Sequence, residues 1–283
     1  MVSFSAMVAA HSTGGGGWRR ASRLARLLAV TLLAPALAAA STPAAAQAAT
    51  APSSAHWLRI ERRIESGYFQ QNAADLTALA ATFPAGDAAA GGRHDEEWQS
   101  YYSALLAYRL ALLAQSDETR AWPFTQQCID RLSRVLVLDT ASAEALALQS
   151  ACLALQSDLD AWRSPLAAPL SVARIDKALR LAPDNPRVLL LGSLAARDRP
   201  KLFGGDTQQA FRLMQRAVSA FERESAQPRS LPGWGAADAF TDLAQDYLGL
   251  GETLAARNVL ERALLIAPDF AQARRLMAEI VAG

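Results

Sequence analysis

Between Ala237 and Phe270 the sequence sets small and large residues at intervals that suit a pair of packed helices. Phe240, Leu243 and Tyr247 recur at helical spacing, Gly251 follows, and Ala256, Leu260 and Ala263 recur again before Pro268. Each choice has a physical reason. Ala244 and Ala256 are small enough to let two helices approach closely, and the large residues fill the layer toward a neighbouring pair. Gly251 turns the chain, and Pro268 cannot continue a helix. A two-helix unit of this size cannot bury its own apolar face, so it demands further units beside it.

Upstream segments echo the unit. Ala210 and Ala217 repeat the seven-residue spacing of Ala256 and Ala263. Leu181-Ala182-Pro183-Asp184 matches Ile266-Ala267-Pro268-Asp269. Residues equivalent to Ala256 fall at Cys128, Ser171 and Ala210, giving repeats 43, 39 and 46 residues apart. Helices are predicted over 56–72, 73–83, 95–114, 124–138, 143–156, 171–181, from Pro186 onward, and over 207–224, 238–248, 253–267 and 271–282. No stretch alternates apolar and polar residues over a useful length, and β-branched residues are sparse. Hydrophobic residues make up 51% of the chain and charged residues 19%, which excludes a disordered protein.

Numbered from one to thirty-four, Ala237–Phe270 resembles the tetratricopeptide repeat at Phe240, Leu243, Ala244, Tyr247, Gly251, Ala256, Leu260, Ala263 and Pro268. The resemblance implies an all-α, right-handed solenoid of antiparallel helix hairpins, here with irregular repeat lengths. It makes 271–282 a capping helix. It also implies a concave groove lined by the first helix of each hairpin, which places Asp238, Thr241 and Gln245 of the last repeat, and Arg275 of the terminal helix, on a partner-binding face. Thr241 and Gln245 do not match the lysine and asparagines with which some members clamp a terminal carboxylate. Pro200, Phe203-Gly204-Gly205-Asp206 and Ala210 resemble a turn of exported bacterial repeat proteins of unassigned function. Asp206 there is expected to cap the following helix.

The N-terminus reads as a targeting segment. Residues 1–48 carry Arg19, Arg20, Arg23 and Arg26 and no acid. Leu27 to Ala38 is apolar and interrupted by Pro35, and small residues follow it. This order marks a cleaved secretory leader, cut after Ala48, Ala46 or Ala40. A short linker (49–54) and the repeat domain (55–283) follow. No cysteine lies near the cleavage sites, so a lipoprotein is not expected. The protein is expected in the periplasm or outside the cell, with the membrane involved through the export signal alone. The mature chain is mildly acidic and has no basic run, which argues against nucleic acid.

Signals of chemistry are scarce. After the leader only His56 and His94 remain, and no catalytic or phosphate-binding motif occurs. The chain is therefore expected to be no enzyme and to need no metal or cofactor. Cys128 and Cys152 lie on consecutive helices, level with each other across the turn, and either pair as a disulfide or remain as two buried thiols. The leading expectation is a periplasmic or secreted scaffold that binds a protein or peptide in its groove. The alternative is a periplasmic small-molecule binder acting as an accessory of a transporter.

Overall fold

The computed structural model describes residues 53–83, 93–199 and 205–282. The leader and linker predicted over 1–48 and 49–54 lie outside the described residues, apart from the last two linker positions. So do Pro200 to Gly204 of the expected turn. The described residues form an all-α structure of eleven helices. They are α1 (Ser53–Phe69), α2 (Ala73–Ala80), α3 (Arg93–Ala114), α4 (Glu118–Leu138), α5 (Ala143–Leu159), α6 (Ala167–Leu181), α7 (Pro186–Asp198), α8 (Thr207–Ser225), α9 (Ala236–Gly249), α10 (Thr253–Ile266) and α11 (Ala271–Ala282).

The helices pack as successive hairpins: α3 with α4, α5 with α6, α7 with α8 and α9 with α10 make the most extensive contacts. Local chemistry sets their ends. Asn72, Asp117, Asn185 and Asp206 accept hydrogen bonds from backbone N–H groups that open α2, α4, α7 and α8. Pro186 sits in the first turn of α7, where its missing N–H costs nothing. Helix α4 begins six residues before the expected Phe124 and carries Pro123 inside it. Pro123 removes the bond to the carbonyl of Thr119, but Thr119 is exposed and water can take that place.

Burial divides the hairpins into two layers. The even helices bury one stripe each: Ala121, Thr125, Cys128, Leu132 and Val135 in α4, or Ala256, Leu260 and Ala263 in α10. The first helices of the α3–α4, α5–α6 and α7–α8 hairpins are instead buried without a break over 99–111 in α3, 145–150 in α5 and 186–193 in α7. They form the inner layer. Small residues mark the crossings between layers. Ser150 Oγ bonds the carbonyl of Ser171 at 2.8 Å, and Ser193 Oγ bonds that of Ala210 at 2.7 Å. Ala217, Ala256 and Ala263 are fully buried, and Gly251 turns the chain between α9 and α10 with φ 77°. Cys128 of α4 and Cys152 of α5 are joined, with Sγ atoms 1.99 Å apart and Cα atoms 6.3 Å apart, linking one hairpin to the next.

Candidate functional site

An inner layer buried all round must be covered on its inward side, and three parts of the chain do this. First, the array curls until α3 meets α9. Arg109 of α3 donates to both carboxylate oxygens of Asp238 of α9, at 2.9 and 2.8 Å. Second, α1 packs on α3 and reaches the last hairpin. Its Glu65 takes a 2.9 Å bond from Arg109, and its Phe69 ring lies 4.4 Å from that of Phe270. Third, the loop before α9 runs inward. Trp234 Nε1 donates to the Tyr101 hydroxyl at 2.9 Å, and the Trp234 carbonyl accepts from Arg187. A Cβ on Gly235 would meet Phe221 at 3.1 Å and Leu190 at 3.3 Å, so only glycine fits there, at φ 100°.

This interior is held by ion pairs as well as apolar contact. Burial alone opposes charge on Arg109, yet Asp238 and Glu65 outweigh it and hold its pKa well above the ordinary value. Burial pushes Glu65 up to about 7 despite Arg109. Asp238 accepts two bonds from the guanidinium, and Glu65 is a group poised to take a proton. Glu61 is fully buried and accepts from Tyr102 Oη at 2.8 Å, Gly233 N at 2.7 Å and Arg229 at 3.1 Å. Arg187 bridges Glu144 and Glu224 at 3.0 and 2.9 Å.

Two of the cavities among the described residues border α1, one lined by Phe69 and the other by Phe270. The first, about 310 Å³, lies between α1 (Arg62, Glu65, Ser66, Phe69, Gln70), the loop at Arg229 and Gly233, the start of α9 and the end of α10 from Ile266 to Asp269. The second, about 250 Å³, lies between Tyr68 and Gln71, the end of α3 (Leu112, Leu113, Gln115), and Phe270, Gln272 and Arg275.

The residues expected on a partner-binding face are therefore distributed differently. Asp238 is buried in the ion pair with Arg109, and Thr241 is buried and donates to the carbonyl of Ala237 at 2.8 Å. Gln245 is exposed but lines neither cavity. Arg275 is exposed and lines the second cavity. The expected protein- or peptide-binding groove is thus corrected: among the described residues, α1 and the Trp234 loop occupy the inner face where that groove was expected. Arg109 and Trp234 went unremarked in the sequence, although a lone arginine within the apolar run Leu105–Leu113 was a signal of a buried ion pair.

No family model matches this chain, so the tetratricopeptide likeness remains a resemblance. No curated protein matches it either. Among solved structures it is similar to the HusA haemophore from Porphyromonas gingivalis, with 21% identity and a TM-score of 0.49, over 68% of this chain and 92% of that one. That likeness is a distant one. Among the described residues no cluster of three or more histidine, cysteine or acidic side chains could hold a metal ion, and no helix is long and apolar enough to cross a membrane.

Proposed function

We propose that this chain is an exported, non-enzymatic binder of a small molecule. It works in the periplasm or outside the cell as an accessory to a solute transporter, after loss of its leader at residues 1–48. Its scaffold is read as a right-handed, tetratricopeptide-like solenoid of irregular repeats that α1 closes from within. The observation that carries the reading is that α1, packed on the inner face, borders two small cavities. Spaces of about 310 and 250 Å³ suit fragment-sized ligands, near the lower bound of known small-molecule sites. No histidine, cysteine or methionine lines either cavity.

Thermal-shift screening of the purified protein against small metabolites and organic acids tests this, because a ligand that binds the native state raises its melting temperature by mass action. Ser66 is exposed on α1 and lines the first cavity; Leu113 lines the second. Hits are expected to lose at least tenfold in affinity in Ser66→Trp or in Leu113→Trp. A panel with no hits, or hits indifferent to both substitutions, would refute the reading.

A further inference from the structure

The two cavities differ in their charge. The first is lined by groups of both signs, Arg62 and Arg229 with Glu65 and Asp269, of which Glu65 is paired with Arg109 and Arg229 with Glu61. In the second, Arg275 is the one charged group among the lining residues. Arg275 makes no ion pair among the described residues, whereas its neighbour Arg274 has Asp269 at 4.0 Å. Around Arg275 stand three carboxamides, from Gln71, Gln115 and Gln272, and an apolar wall of Leu112, Leu113 and Phe270. A planar guanidinium presents paired donors that match a carboxylate, and carboxamides can donate or accept beside it.

From this we infer that the second cavity recognises a small organic monocarboxylate, its acid group on Arg275 and its apolar body on Leu112, Leu113 and Phe270. The inference rests on the small-molecule reading and names the ligand class within it. A dicarboxylate would leave its second charge against the apolar wall with no cation to meet it, which disfavours it. A neutral amide of the same shape forfeits the charge-assisted pair.

Benzoate and hexanoate, with benzamide and hexanamide as neutral isosteres and phthalate as a dianion, are the probes, titrated into the full-length protein by calorimetry and by backbone-amide chemical-shift mapping. The acids are expected to bind at least tenfold more tightly than their amides and than phthalate, and to shift amides near residues 112–115 and 270–275. Arg275→Gln is expected to abolish the acid-over-amide preference. Arg275→Lys is expected to restore part of it, because a point charge survives without the fork. Arg275 is exposed, so both variants retain the fold, and a melting curve of each confirms it. Equal affinity of acids and amides, or an unchanged preference in Arg275→Gln, overturns the monocarboxylate assignment and leaves small-molecule binding standing. Shifts confined to the first cavity overturn the location. If hits from the wider screen bind while none of these acids does, the inference alone fails.

Discussion

At the scale of single residues, the interior depends on a few charges placed where apolar side chains would be expected. Arg109 is almost fully buried and holds Glu65 and Asp238 together. Removing it leaves two carboxylates facing each other out of water. Arg109→Met should therefore cost roughly 3–5 kcal/mol, measured by urea unfolding. The triple variant with Glu65→Gln and Asp238→Asn should recover much of that loss, because no buried charge is then left without a partner. Asp242 tells a different story. Burial, aided by Asp238, Asp246 and Asp198, pushes it up to about 7 in spite of Arg197 at 3.8 Å. A carboxyl whose folded pKa is raised keeps its proton longer in the native state than in the unfolded chain. Its contribution to stability therefore falls as pH rises from about 4 to 7. Asp242→Asn should flatten the dependence of the unfolding midpoint on pH in that window and stabilise the protein above it. Charges of this kind were hard to find beforehand. Asp238 sat on a helix face that a solenoid turns toward solvent, and its partner lies 129 positions away.

At the scale of elements, the outer helices were legible because each buries one stripe. Cys128, Leu132 and Val135, or Ala256, Leu260 and Ala263, are spaced as an amphipathic helix requires. The inner helices give a weaker signal, since a helix covered on all sides has no polar face to contrast with its apolar one. In Ala145–Ser150 every side chain is buried, so sequence alone placed the helix but not its layer. The beginning of α4 was missed for a local reason: Pro123 looks like a helix start and is instead tolerated inside one. Hairpins with many contacts within themselves are also tied to each other covalently. Cys128 and Cys152 enclose a chain separation of 24 residues. Such a loop is worth about 3 kcal/mol through the unfolded state. Reduction should lower the unfolding free energy by about that amount, and thiol titration of the denatured, unreduced protein should find no free sulfhydryl.

At the scale of the whole molecule, repeat spacing foretold stacked hairpins but not what fills the space they enclose. The positions that make a repeat describe contacts between adjacent helices. They carry no term for a helix from the far end of the chain. Here α1 reaches Asp238 through Arg109 and touches Gly233 and Phe270, and no periodicity joins these residues. The expected groove failed for that reason, while Arg275, at the edge of the curl, remained beside an open cavity. The same bridge bears on how the chain acquires its structure. Glu61 meets Gly233 across 172 positions, so the berth of α1 is unfinished until almost the entire polypeptide has been made. Helix α1, the first of the described helices to leave the ribosome, is among the last to find its place. On the proposed reading, in which residues 1–48 are an export leader, that delay would keep the nascent protein threadable until translocation is under way.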